Sequence, residues 1–198
     1  MNIILSTRNP SKTEQIKAVF NGMPLSILTL NETEISGEAI EDGRTLRENA
    51  YKKAKYALKY APQGYWTMAD DTGLFISALN GEPGIMSARW LGQNATTEDT
   101  MNYCLRRLEG IQNRSAFFET DVILLSPHGQ EYFFSGRAFG KILEHPRVQP
   151  QKKMPYSPIF QPEGSDKTWA EMAIEEENEI SHRGKAFSQV RQFLEKLV

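Results

Sequence analysis

The stretch Trp66-Thr67-Met68-Ala69-Asp70-Asp71-Thr72-Gly73-Leu74-Phe75-Ile76-Ser77-Ala78-Leu79 decides how this chain is read. Trp66–Ala69 predicts a buried strand that ends directly in two carboxylates, and Leu74–Leu79 predicts the strand that follows. Two neighbouring carboxylates at the end of a buried strand are costly unless a cation meets them. A hard divalent ion that keeps waters and binds through one or two carboxylates suits that place. Asp71 would hold the ion or orient a water, with Asp70 taking the other task. The plainer alternative is a turn in which both aspartates cap local N–H groups. Glu41, in a loop upstream, offers a third carboxylate and weighs against that alternative.

Outward from this stretch, the chain alternates between strands and helices. Asn2–Ser6 predicts a short buried strand, and Asn9-Pro10-Ser11-Lys12 opens a helix. Ser11 and Glu14 have capping-box spacing there, and Ile16, Val19 and Phe20 supply an apolar face. Ser26–Leu30 predicts a second strand. A polar loop, Asn31–Arg44, leads to a helix over Thr45–Tyr60, where Glu48 sits three residues beyond Thr45 and completes a second capping box. Downstream, Asn80-Gly81-Glu82-Pro83-Gly84 breaks the chain and Thr97–Leu108 is helical. Ala116–Ser126 and Glu131–Leu143 predict a hairpin across Pro127-His128-Gly129. His145–Pro162 carries five prolines and reads as a loop. Gly184–Val198 is an amphipathic helix with Phe187, Val190, Phe193, Leu194 and Leu197 at helical spacing. The order implies an α/β fold: a mixed sheet with flanking helices and a lobe built on the long hairpin.

Composition narrows the function. The 198 residues carry a formal net charge of -2, so no global basic field draws in nucleic acid, and a polyanionic substrate needs a local cationic pocket. Cys104 is the sole cysteine. That excludes an intramolecular disulfide and agrees with a reducing compartment. The apolar part of the N-terminus is too short for a signal peptide, and no stretch is long enough to span a bilayer. A cytoplasmic protein with no membrane partner is expected.

Three further clusters bear on chemistry. Thr7-Arg8-Asn9-Pro10-Ser11-Lys12 joins a strand to a helix; N–H groups at a helix start, with Lys12 beside them, suit phosphate oxygens. The segment lacks the Gly-x4-Gly-Lys pattern of a P-loop, and a well-capped helix is the plainer reading. Lys53 falls beside Ala50 and Ala54, toward the inward side of its helix. Ile180-Ser181-His182-Arg183-Gly184-Lys185-Ala186 brings a rigid donor fork in Arg183, suited to a carbonyl or a phosphate. His182 beside it donates to a carbonyl or titrates near neutral pH. A cap with a surface patch is the alternative there.

In this order and spacing the clusters resemble the inosine triphosphate pyrophosphatase (Ham1-like) family. Thr7-Arg8-Asn9-Pro10-Ser11-Lys12 is similar to its opening T-G-N-x-x-K. Glu48-Asn49-Ala50 with Lys53-Ala54 resembles E-N-A-x-x-K-A, and Ala69-Asp70-Asp71-Thr72-Gly73-Leu74 resembles A-D-D-S-G-L. Gly81-Glu82-Pro83-Gly84-Ile85-Met86-Ser87-Ala88-Arg89-Trp90 resembles G-x-P-G-x-x-S-A-R-Y. Thr168, Ala170, Glu171 and Ile180–Ala186 resemble T-x-A-E and I-S-H-R-x-K-A. The resemblance covers almost the whole chain. It implies one domain over residues 1–198, an elongated mixed sheet with two lobes around a central cleft, and a homodimer. It implies magnesium-dependent hydrolysis of a nucleoside triphosphate to the monophosphate and pyrophosphate. By position, Thr7, Asn9, Lys12, Lys53, Thr72 and Arg89 would hold the phosphates, and Glu41 and Asp71 the metal. Asp71 would position or deprotonate the attacking water with support from Asp70. His182 and Arg183 would read the base.

The chain departs from this pattern in two places. The family's base loop, G-F-G-Y-D-P-x-F, is here Lys153-Met154-Pro155-Tyr156-Ser157-Pro158-Ile159-Phe160. Met154 replaces the stacking aromatic and Ser157 the aspartate near the base edge, while Tyr156 is kept, so Met154, Tyr156 and Ser157 are expected to line the base site. Glu177 stands where the family places a phosphate-contacting lysine; there it would repel a triphosphate unless turned away. Arg8, in place of a glycine, would partly restore the charge. The expectation is unchanged hydrolysis with altered base choice. The competing readings are a non-catalytic nucleotide sensor of the same fold, favoured by Glu177 and the Met-Pro loop, and a pathway-specific nucleotide pyrophosphatase.

Overall fold

The structure, a computed structural model, describes residues 1–92 and 94–197. In chain order the elements are β1 (Asn2–Leu5), α1 (Pro10–Val19), β2 (Ser26–Thr29), α2 (Leu46–Tyr60), β3 (Trp66–Ile76) and β4 (Pro83–Gly84). They continue as α3 (Thr97–Arg107), β5 (Ser115–Leu125), β6 (Glu131–Ile142), β7 (Phe160–Pro162), α4 (Ile174–Ile180) and α5 (His182–Leu194). All seven strands form one mixed sheet in the order β2-β1-β3-β5-β6-β7, with β4 also on β3. β2, β1 and β3 run parallel; β5, β6 and β7 are antiparallel. The expected hairpin is β5–β6, paired from Ser115↔Lys141 to Leu125↔Glu131.

Strand alternation sorts the core onto two faces. Ile3, Leu5 and Met68 pack with Ile16 of α1, with Phe20 just after that helix, and with Phe187, Val190 and Leu194 of α5. Ile4 and Ala69 face the other way, against Ala50, Ala54 and Ala57 of α2. The alanines let α2 approach the sheet closely, and Thr45 caps it by accepting from the Glu48 N–H at 3.1 Å. The Glu48 carboxylate accepts from the Arg44 N–H, so its structural role is a cap one residue wider than expected. Farther along the sheet, α3 covers a second core of Leu74, Ile76, Phe118, Tyr156, Phe160 and Trp169. No helix among the described residues is long and apolar enough to cross a membrane.

Four boundaries differ from expectation. β3 does not stop at Ala69: it runs unbroken through Asp70, Asp71 and Thr72, paired residue for residue with β5. Its other neighbour, β1, ends opposite Met68, and β4 joins only at Leu74. Asp70–Gly73 thus have one open edge, which is why polar residues are tolerated inside a long strand. Asn9 caps α1 in place of Ser11, accepting from the N–H groups of Ser11 and Lys12 at 3.1 and 3.4 Å. The proline-rich segment ends in β7. The last helix begins at His182, two residues before Gly184, and stops at Leu194; Val198 lies outside the described residues.

Candidate active site

β1 lies between β2 and β3, and α1 and α2 cross on opposite faces of the sheet. The carboxyl end of β1 is therefore a topological switch point, where open α/β sheets form ligand crevices. A cleft of about 850 Å³ opens there, and every site residue expected from the sequence lines it: Thr7, Asn9, Lys12, Glu41, Lys53, Asp70, Asp71, Thr72, Arg89, Met154, Tyr156, Ser157, His182 and Arg183.

The two aspartates are neighbours in sequence but lie on opposite faces of β3, because successive strand side chains alternate. Asp70 shares the face of α1 and α5. Lys12 Nζ donates to its Oδ2 at 2.8 Å, Thr72 Oγ1 lies at 3.3 Å and Arg183 Nε at 3.8 Å. Burial opposes the charge on Asp70, but Lys12, Arg183 and Lys53 outweigh it and hold the carboxyl well below the usual carboxylate range. Asp71 shares the face of α2. Lys53 Nζ donates to its Oδ1 at 2.9 Å and Asn49 Nδ2 to its Oδ2 at 3.2 Å, so both oxygens are oriented. The turn reading, with aspartates capping local N–H groups, is thereby replaced by ion pairs to three helices.

Lys53 points inward, as its place beside Ala50 and Ala54 predicted. Its ammonium also lies 3.5 Å from Glu41 Oε1, and Arg89 donates to the same Glu41 carboxylate. Burial lowers the Lys53 pKa, but Asp71, Asp70 and Glu41 raise it further, so it stays charged. Burial likewise opposes the Glu41 charge, and Lys53 and Arg89 overcome it. Two hard oxygen donors thus converge on one cationic position, a donor set that suits Mg²⁺ with water and substrate oxygens completing the shell. The third carboxylate is not part of this pair, since Asp70 faces Lys12. Among the described residues no three His, Cys, Asp or Glu side chains are gathered to hold an ion by themselves.

On the Asp70 side of the cleft, His182 is buried and stacks on Phe118, centroids 4.6 Å apart at 15°. Burial, then the nearby Arg183 and Lys12 charges, push its pKa well below 6.5, so the imidazole is neutral at pH 7. Its Nδ1 and the Arg183 Nε have no hydrogen-bond partner among the described residues. Buried polar groups without partners inside a cleft are candidates for meeting a ligand. They reach this place because Gly136 of β6 lets the first turn of α5 rest on the sheet: a Cβ there would lie 2.2 Å from the His182 carbonyl oxygen.

A model of the Ham1 family matches residues 3–193. The chain belongs to the Ham1 family. It is 41% identical over 196 residues to a protein of Thermoanaerobacter pseudethanolicus named dITP/XTP pyrophosphatase, covering 98% of this chain and 96% of that one. A dITP/XTP pyrophosphatase of Geobacter sulfurreducens is 38% identical over 194 residues, covering 97% and 96%. The solved Ham1 protein of Coxiella burnetii superposes with a TM-score of 0.86 at 32% identity, covering 99% of each chain. That of Staphylococcus aureus gives 0.83 at 31%, covering all of both.

In this Ham1 chain several side chains serve differently from their sequence reading. The α1 N–H groups of Ser11 and Lys12 are capped by Asn9 and Pro10 has none, so that helix start does not offer its first-turn N–H groups to an anion. Arg8 lines the cleft with its guanidinium donating to Asn31 Oδ1 at 3.0 Å and the Ile35 carbonyl at 2.7 Å, pinning the loop before α2. Tyr156 presents only its ring, because its hydroxyl donates to the Ser87 carbonyl at 2.8 Å within the core. Lys153, in the place of the family's first loop glycine, has φ = 60°, a left-handed conformation that glycine adopts at lower cost. Glu177 lines the cleft, but its carboxylate accepts from the Gln15 side-chain amide. Asn49 and Gln15 were not among the expected site residues. The signal was spacing: Asn49 precedes Lys53 by four residues and Gln15 follows Lys12 by three, each on the face of a known site residue.

Proposed function

We propose that this chain is a nucleoside triphosphate pyrophosphatase that cleaves a purine nucleotide outside the standard four, such as ITP or XTP, or a modified-base nucleotide, to the monophosphate and pyrophosphate. The observation that carries this reading is one cleft that joins an Asp71 carboxylate oriented by Lys53 and Asn49 to a neutral His182 and Arg183 on the Asp70 side. A triphosphate bears about four negative charges near pH 7, and Lys12, Lys53 and Arg89 are placed to offset them. Glu41 and Asp71 would hold Mg²⁺, which when bound neutralises charge developing on the leaving pyrophosphate. Asp71, fixed by Asn49 and Lys53, would orient the attacking water and take its proton. Thr7, Asn9 and Thr72 would reach the phosphates through side chains, and His182 and Arg183 would donate to a base carbonyl. Met154 would cover the ring with a flexible thioether, and Ser157 would offer an uncharged hydroxyl; both would alter base choice.

The non-catalytic alternative leaned on the Met-Pro loop and on the Glu177 carboxylate. That carboxylate is engaged by Gln15, which leaves the enzyme reading ahead. We read the chain as one domain with two lobes. A homodimer is supported by the aromatic ladder Phe75–Phe117–Phe139, left uncovered by α2, in which Phe139 is 53% exposed.

The test is pyrophosphate release from ITP, XTP, dITP, ATP, GTP and modified-base triphosphates with magnesium, repeated on Asp71→Asn. The wild type is expected to release pyrophosphate, and Asp71→Asn to lose on the order of two to four powers of ten in kcat with its fold intact. No pyrophosphate from any nucleotide, or full activity in Asp71→Asn, would overturn the reading.

A further inference from the structure

Behind the cleft lies a buried relay that joins three elements. Glu177 on α4 accepts from Gln15 Nε2 on α1, and Gln15 Oε1 accepts from Arg183 Nη1 on α5. All three side chains are at least nine-tenths buried, at 5%, 4% and 3% exposure. Asn178, next to Glu177, donates to the Gln15 carbonyl at 2.9 Å, so α4 and α1 are tied at this point by backbone as well as side chain.

A primary amide has a donating end and an accepting end, and its neighbours decide which way it faces. A carboxylate accepts, so Glu177 turns the Gln15 NH₂ toward itself. This leaves Oε1 for Arg183, whose guanidinium can only donate. A lysine at position 177 would reverse the order: an ammonium needs the amide oxygen, and the NH₂ end would then face Arg183, donor against donor. The residue at 177 thereby decides whether Arg183 is anchored to α1.

We infer that Glu177 is a positioning residue for substrate selection: through the Gln15 amide it fixes the Arg183 guanidinium that addresses the base carbonyl. This rests on the pyrophosphatase reading above. The substrate class it favours carries an acceptor oxygen at the purine 6-position, not an amino group. Anchored at Nη1, Arg183 keeps its unpartnered Nε beside Asp70 and the cleft.

The test compares kcat/KM for ITP and ATP, with magnesium, in the wild type and in Glu177→Lys, Glu177→Gln and Gln15→Leu. Circular-dichroism melts establish that each variant folds. Glu177→Lys and Gln15→Leu are expected to lower the ITP-to-ATP ratio about tenfold, through a higher KM for ITP, since a buried donor loses its partner. Glu177→Gln still offers Gln15 an acceptor oxygen and keeps the ratio near that of the wild type. An unmoved ratio in both disruptive variants overturns the relay. So does an equal loss on both nucleotides, which would place Glu177 on the shared phosphate tail. If Glu177→Lys fails to fold, Gln15→Leu decides on the same ratio. A wild type that turns over no nucleotide defeats the pyrophosphatase reading and the relay with it; wild-type turnover with an unmoved ratio defeats the relay alone.

Discussion

Glu177 shows how one buried side chain records its surroundings in a measurable pH dependence. Its ordinary pKa of 4.5 is pushed up to about 7 by burial, against the opposing pull of Arg183 and the Gln15 hydrogen bond. Between those values the folded state binds more protons than the unfolded one. The contribution of this group is therefore complete below pH 4.5 and is lost as pH rises through 7. The shift corresponds to about 3 kcal/mol at most. Glu177→Gln is accordingly expected to melt at a higher temperature than the wild type at pH 8, with the gap closing toward pH 5; a gap independent of pH would contradict the assignment. At this scale the sequence was informative about which side chains matter and silent on how they pair. Lys12, Lys53, Asp70 and Asp71 were all legible, whereas the division of the two aspartates between opposite faces depends on β3 continuing through them. Asn49 and Gln15 were passed over because neutral amides announce no charge, although they orient the charged groups.

Among the elements, β3, α1, α2 and α5 carry the site with α4 behind it, and they were read unequally well. Asp70-Asp71-Thr72-Gly73 has the composition of a turn, and it is held extended by a distant partner: Asp71 pairs with Asp121 and Thr72 with Thr120 on β5. Such pairing overrides local propensity. α4 was missed because Ile174–Ile180 offers no apolar period; it is a short acidic helix held by contacts to α1 and α5. The hairpin and α2 were legible because alternation, a turn signal and a Thr cap all agreed. α5 reaches the cleft only through the notch at Gly136. A Cβ there would also lie 2.7 Å from the Ala186 nitrogen, so both close contacts are backbone. Gly136→Ala is expected to cost about 1–3 kcal/mol, visible as a lower melting temperature, and to impair base selection by displacing His182 and Arg183. A variant with unchanged stability and selectivity would show that α5 is not seated by this contact.

For the whole molecule, the architecture explains why so many separate motifs meet. Crossing α1 and α2 on opposite faces opens the crevice at the end of β1. The loop after β1, the open edge of β3, the inward face of α2 and the start of α5 then border one space. No single segment specifies that meeting, so the sequence could name its parts while the topology assembles them. The cleft also brings two groups together, paired charges suited to a polyphosphate and, on the Asp70 side, a neutral, stacked imidazole suited to a base. The most direct measurement of the central claim is ³¹P NMR of ITP incubated with the protein and magnesium. IMP and pyrophosphate should appear together in equal amounts, with no IDP and no orthophosphate. Accumulation of IDP with orthophosphate would place the cleaved bond at the β–γ linkage and contradict the assignment.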